Sequence, residues 1–211
     1  MKVIKKILMG LMLICTVLSS AACEAKSNSK GKKMEILNGK DGLYAVLETE
    51  KGTIVLNLFY KETPMTVTNF VGLAEGTLDA AKGKPFYDGL KFHRVISNFM
   101  IQGGDPKGNG TGGSDETIKG EFSQNGVKNE ISHVRGTISM ARSQAMDSAS
   151  SQFFIVQTDS TYLDGQYAGF GTVTKGMDIV DEICKDVPVE DNNGTVKSEN
   201  QPVIESIKVI K

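Results

Sequence analysis

The sequence predicts a mainly β domain, an antiparallel barrel or sandwich carrying two helices. Three observations predict it. Short β-prone runs recur along the chain, while only two segments show helical periodicity. Glycine outnumbers proline 23 to 5, which marks many tight turns. No strand–helix–strand alternation of the kind that builds a parallel sheet is visible. The 211 residues suffice for one large domain or two small ones. Hydrophobic residues at 39% and charged residues at 23% exclude bulk disorder. A net charge of −1 excludes a basic nucleic-acid footprint, and three cysteines cannot build a disulfide framework.

The N-terminus is set apart from this domain. Lys2, Lys5 and Lys6 precede an apolar run from Ile7 to Leu18, and Ser19–Ala22 follow, small residues all. Basic, apolar and small segments in that order define a secretory signal over residues 1–22. The run is too short for a transmembrane helix, which needs about 20 residues. Cys23 directly after Ala22 resembles the acylated cysteine of a bacterial lipoprotein, although Ser20 stands where an aliphatic residue is usual. The alternative is an ordinary signal cleaved after Ser20-Ala21-Ala22. Loss of residues 1–22 leaves 21 basic against 25 acidic residues, a net charge of −4. Residues 24–33 are polar and aperiodic and read as a tether, so that 23–33 link the lipidated Cys23 to a domain over 34–211. Cys184 then remains as a lone thiol, read as a buried small hydrophobe.

The domain opens with YAVLETEKGTIVLNLFY from Tyr44, two β-prone runs around the turn signal Glu50-Lys51-Gly52. Ile54, Leu56 and Leu58 share one face at period two. Thr63 is the expected N-cap of a helix with Pro64 in its first position. Val67, Phe70, Val71 and Ala74 supply its buried stripe, and Gly76 its stop. Residues 90–104, LKFHRVISNFMIQGG, read as one strand-like apolar stretch. Residues 136–142, 152–158 and 169–174 read as further strands. A second helix begins near Gly176 and buries Met177, Val180, Ile183 and Cys184. Ile204 to Ile210 is the closing strand, after a polar loop over 190–200.

Several motifs fail their context. Gly108, Gly110 and Gly113 match a dinucleotide-binding spacing, but no helical pattern follows. His93 and His133 lack partners at metal-ligand spacing and read as structural, as no nucleophile motif accompanies them. Asp191-Asn192-Asn193-Gly194 lacks the alternating acids of a calcium loop and reads as a turn. The glycosylation patterns at Asn109 and Asn193 are read as carrying no function. One dense constellation remains: FHRVISNFMIQGGD over residues 92–105, with Arg94 and Gln102 set among Phe99 and Met100. On spacing alone Arg94 reads as a guanidinium snorkelling at a rim.

That block, followed by GNGTGG, resembles the signature of the cyclophilin family of peptidyl-prolyl isomerases. SMAR at 139–142, SQFFI at 151–155 and YLDGQYAGFGTV at 162–173 are similar to later family blocks, in the same order. The likeness spans roughly residues 44 to 211. It implies a closed eight-stranded antiparallel barrel capped by two helices, acting on Pro-containing polypeptides without metal or cofactor. It implies Arg94 as the catalytic donor and Gln102 as its support and a contact to the substrate backbone. Phe99, Met100, Phe154 and Leu163 would line the proline pocket. Ala141 and Gln152 would border the groove, and Gly110 and Thr111 a side pocket. Three substrate-side positions depart from the common pattern. Arg142 replaces Asn, with its backbone as the expected contact. Tyr167 replaces His at the proline pocket. Tyr162 replaces the Trp that binds cyclosporin, so weakened drug affinity is expected. One extra residue lies between Ala141 and Gln152. The expectation is an exported, monomeric isomerase, held by its lipid on the outer face of the cytoplasmic membrane, with no nucleic-acid partner. The competing expectation is a non-catalytic module that binds or chaperones Pro-containing segments; a hydrolase using His93 or His133 lacks a nucleophile motif.

Overall fold

A computed structural model describes residues 42–211; the signal, Cys23 and tether expectations lie outside the described residues. Eight strands form one antiparallel sheet: β1 (Leu43–Thr49), β2 (Gly52–Leu58), β3 (Arg94–Ile96), β4 (Met100–Gly103), β5 (Thr137–Met140), β6 (Phe153–Val156), β7 (Gly169–Lys175) and β8 (Ile204–Ile210). Their order is β3-β4-β6-β5-β7-β2-β1-β8. Two helices, α1 (Pro64–Glu75) and α2 (Met177–Asp186), complete the domain. Helix α1 packs on β8, and α2 on β2, β3 and β4.

The sheet curls into an open half-barrel, which corrects the closed barrel expected from the family resemblance. Strands β3 and β8 end the ladder and do not pair with each other. The free edge of β3 is taken instead by a loop. Val95 N–H donates to Gly194 O at 2.8 Å, and Val196 N–H to His93 O at 3.0 Å. Only below this do residues 89–92 meet the start of β8, with Ile204 N–H on Leu90 O at 2.7 Å and Phe92 N–H on Pro202 O at 2.9 Å. Pro202 has no N–H to return, so the seam stays a run of single bridges. The loop still covers the exposed strand edge.

Two further expectations change. Residues 90–104 are not one strand but a hairpin. Asn98 turns the chain with a φ of 63°, a conformation that Asn tolerates better than most residues. Thr63 is the N-cap residue of α1 as expected, but its side chain makes no cap bond. The cap comes from Glu121, remote in sequence and buried. Its carboxylate accepts from Met65 N–H at 3.2 Å and Thr66 N–H at 2.7 Å, and from the Thr66 hydroxyl at 2.6 Å. Both helices otherwise follow the pattern read from sequence, except that Val71 and Met177 are half-buried. Gly76 ends α1 in the left-handed region, and Gly176 precedes α2 with a φ of 95°. A side chain at Gly176 would strike the carbonyl of Thr53.

The core divides in two because the strands alternate. Phe70 of α1 meets Tyr87, Phe153 and Phe170 with ring centroids 5.2, 5.6 and 5.2 Å away, at the centre of the main core. Ile54, Leu56, Ile101, Ile138 and Ile155 complete that layer. Met100, Phe154, Val156 and Leu163 form a second, smaller cluster, joined by Phe99, Ala141 and Tyr167. Strand β6 therefore reads Phe-Phe-Ile-Val without polar interruption: Phe153 and Ile155 belong to the main core, Phe154 and Val156 to the other. Cys184 is buried on α2, which pushes its thiol up to about 12.

Candidate active site

The second cluster is the floor of a cleft. In the β3–β4 hairpin Arg94 faces Gln102 and Ile96 faces Met100. Period two places Arg94, Ile96, Met100 and Gln102 on one side of the hairpin, with Val95 and Ile101 in the main core on the other. The next strand continues the row, as Gln102 pairs with Phe154 and Met100 with Val156. Leu163 enters from a short 3-10 turn, and Ala141, Arg142 and Tyr167 from the loops after β5 and before β7. Together Arg94, Phe99, Met100, Gln102, Ala141, Arg142, Phe154, Leu163 and Tyr167 line a cavity of about 240 Å³.

Arg94 is held at two points. Its Nη1 donates to Gln102 Oε1 at 3.1 Å, and its Nε to the Asn193 carbonyl at 2.8 Å. Burial moves this guanidinium below the ordinary arginine range, opposed by Tyr167 and Asp191; it still carries its charge at neutral pH. Behind it the contacts form a relay. Gln102 Nε2 donates to Gln152 Oε1 at 2.8 Å, and Gln152 Nε2 to the carbonyls of Gly110 and Gly112 at 3.1 and 2.7 Å. The glycine loop is fastened by Asp105. Its carboxylate accepts from the N–H groups of Lys107, Asn109 and Gly110 at 2.8, 3.1 and 2.6 Å. Burial would raise the Asp105 pKa, but these backbone bonds outweigh it and hold the group below the usual carboxylate value.

Sequence reasoning missed two supports. Asn193 lies in the segment read only as a turn. That reading holds: Asp191 accepts from the N–H groups of Asn193 and Thr195 at 2.9 and 3.1 Å and from the Thr195 hydroxyl at 2.9 Å. The turn then presents the Asn193 carbonyl to Arg94. A backbone carbonyl leaves no mark in side-chain chemistry. The second is the Arg142 side chain, where only the backbone was expected to matter. Its guanidinium lies over the rings of Phe122 and Tyr167, 5.0 and 4.8 Å from their centroids. Its Nε donates to Gln166 O at 3.0 Å.

The remaining residues are placed as follows. Gly110, Thr111 and Gln152 line a neighbouring side pocket of about 280 Å³, with Gln102, Ala141 and Arg142 common to both cavities. Tyr162 stands at the rim, 64% exposed, its ring 6.0 Å from Phe99. His133 lies beneath the floor, stacked 6.0 Å from Phe154. Its ring contacts Asp164 Oδ1 and Ser139 Oγ, each at 2.9 Å. This is a Ser-His-Asp arrangement, yet Ser139 and His133 are wholly buried, so no substrate reaches the hydroxyl. Burial lowers the His133 pKa against the pull of Asp164. Among the described residues no three His, Cys, Asp or Glu side chains converge on a metal position, and no helix is long and apolar enough to cross a membrane.

An antiparallel half-barrel with a cleft of apolar floor, edged by two braced guanidiniums, defines a protein shaped to grip a polypeptide segment. Comparison with known proteins agrees. Residues 44–209 match the family described as cyclophilin type peptidyl-prolyl cis-trans isomerase/CLD. A peptidyl-prolyl cis-trans isomerase of Helicobacter pylori is 45% identical over 142 residues, covering 66% of this chain and 79% of that protein. Peptidyl-prolyl cis-trans isomerase A of Dickeya dadantii is 39% identical over 178 residues, covering 80% and 85%. A crystal structure of a Cryptosporidium parvum cyclophilin type isomerase, determined in the presence of the dipeptide Ala-Pro, superposes with a TM-score of 0.66 at 28% identity, covering 80% of this chain and 99% of that one. The chain belongs to the cyclophilin family and is a peptidyl-prolyl cis-trans isomerase.

Proposed function

We propose that this isomerase works outside the cytoplasmic membrane, on a lipid anchor at Cys23, with Arg94 as its catalytic residue. Rotation about an X-Pro bond is slow because amide resonance sets a barrier of about 18–20 kcal/mol. The site need only favour the twisted state over both planar ones. In that state the proline nitrogen regains its lone pair and accepts a hydrogen bond. Arg94 supplies the donor. Gln102 and Asn193 take its Nη1 and Nε, so the guanidinium is oriented before substrate arrives. Met100, Phe154 and Leu163 bind the ring of the proline, and their apolar surface strengthens the charge's effect. The bracing of Arg94 above this apolar floor is the observation that carries the assignment.

Arg94→Ala tests it. Removing a preorganised donor of this kind costs about 2.7–4 kcal/mol, a hundredfold or more in rate. An exchange-NMR or protease-coupled assay on an X-Pro peptide should show that loss while circular dichroism stays unchanged. Wild-type rates in the variant reject the role. Export and anchoring rest on the basic–apolar–small order of residues 1–22 followed by Cys23. Cells fed labelled palmitate should label the protein, and Cys23→Ala should abolish the label. Label that persists in the variant rejects acylation at Cys23.

A further inference from the structure

The lining of the two cavities is electrostatically one-sided. The chain as a whole carries a net charge of −1. Yet the side chains around the proline cavity and the side pocket include Arg94 and Arg142 and no acid. Arg94 turns two of its nitrogens to Gln102 and Asn193. Arg142 is the charge common to both cavities.

Arg142 is also rigid. Phe122 and Tyr167 face its guanidinium at 5.0 and 4.8 Å. Its Nε is anchored on Gln166 O, and its Nη1 on the carbonyls of Ser143 and Gln144 at 2.9 and 3.3 Å. Among the described residues no hydrogen bond engages Nη2. A guanidinium held this way offers a pre-paid edge to a carboxylate. The hydroxyls nearby do not compete for it. Ser143 and Ser148 bond each other at 2.8 Å, and Thr111 bonds Asn109 at 2.7 Å.

We infer that Arg142 is a specificity-determining residue that selects substrates with a carboxylate side chain flanking the proline. This deepens the isomerase reading and rests on it. The partner is an acidic X-Pro segment, with Glu or Asp beside the proline; its carboxylate would sit at the junction of the two cavities, on the free edge of Arg142.

The test uses three peptides identical except for Glu, Gln or Lys at the flanking position, placed on either side of proline in turn. Exchange NMR gives kcat/KM for each without a coupling protease. For the wild-type chain, Glu should exceed Gln by roughly three- to fivefold on one side of proline, and Lys should fall below Gln. The advantage should shrink in high salt. Arg142→Gln should bring the Glu/Gln ratio to about one, and Arg142→Lys should restore most of it. The ratio separates selection from scaffolding, because a loosened Tyr167 would slow all three peptides alike. Equal rates for Glu, Gln and Lys peptides overturn the inference, as does a ratio that survives Arg142→Gln. If no peptide is isomerised, the catalytic reading fails by itself; chemical-shift titration of the same peptides still decides the charge preference, and equal affinities overturn it.

Discussion

Asp191→Ala should slow the isomerase without touching the cleft. Asp191 is exposed and lines neither cavity. Its carboxylate ties the N–H groups of Asn193 and Thr195 and the Thr195 hydroxyl into one turn. The backbone bonds hold its pKa below the ordinary carboxylate value. That turn fixes the carbonyl which receives Arg94 Nε at 2.8 Å. Without it, Arg94 keeps only Gln102 and gains rotational freedom. A hydrogen bond to a charged group contributes about 1.5–3 kcal/mol. Water can replace an exposed carbonyl, so the realised loss is smaller, about 1 kcal/mol, or roughly fivefold in kcat/KM. Asp191→Asn preserves an acceptor for the turn and should recover most of the rate. Exchange NMR on one X-Pro peptide, run beside Arg94→Ala, reads both. Rates within twofold of wild type for Asp191→Ala, with Arg94→Ala strongly impaired, would refute the idea that the turn positions the guanidinium.

Two stability predictions follow from buried groups. Glu121→Ala removes the cap of α1 and strands the Thr66 hydroxyl; it should cost about 3 kcal/mol, lowering Tm by roughly 6–12 °C. A shift under about 2 °C in calorimetry would show that water caps the helix equally well. Acid should destabilise the fold in two stages. Burial lowers the pKa values of His93 and His133 from the ordinary 6.5, so below that pH the unfolded chain binds protons that the folded chain refuses. Asp105, Asp164 and Asp191 sit below the ordinary 3.8, and the stability they contribute is lost as pH falls through their folded values. Urea midpoints should be flat above about pH 7 and decline from about pH 6.5; a flat profile down to about pH 4.5 would contradict the histidine assignment.

Legibility in the sequence followed the range of the interaction. Helix α1 announced itself through Pro64, its apolar spacing and Gly76, all local. Its true cap did not, since Glu121 reaches it from a distant loop. The Asn98 turn was hidden because apolar residues flank it on both sides, and a continuous run looks like one strand. Closure of the barrel came from the family resemblance, and the residues themselves left barrel or sandwich open. Nothing local says that residues 194–196, and not β8, take the edge of β3. The side chains of the cleft became legible only through the ordered motif blocks. Composition and spacing alone left Arg94 as a rim residue.

What converts that rim residue into a catalytic candidate is the second core. An arginine at a sheet edge normally spends its charge on water. Here β4 and β6 bury apolar residues on both faces, so the outer face next to Arg94 carries an apolar cluster that is not part of the main core. A substrate ring packed on that cluster would exclude water, and the guanidinium beside it would then act through a weaker dielectric than at an open surface. The relay from Gln102 through Gln152 to the glycine loop satisfies the polar groups that such burial would otherwise strand. Gln102→Leu therefore differs from Arg94→Ala in kind. The Leu variant leaves the charge in place, frees Arg94 Nη1 and leaves Gln152 Oε1 without its donor. It should weaken positioning and loosen the Gly110 loop together, so catalysis should fall less than in Arg94→Ala while amide exchange at Gly110 and Gly112 quickens. Unchanged exchange there would mean that Gln152 and Asp105 hold the loop without help from Gln102.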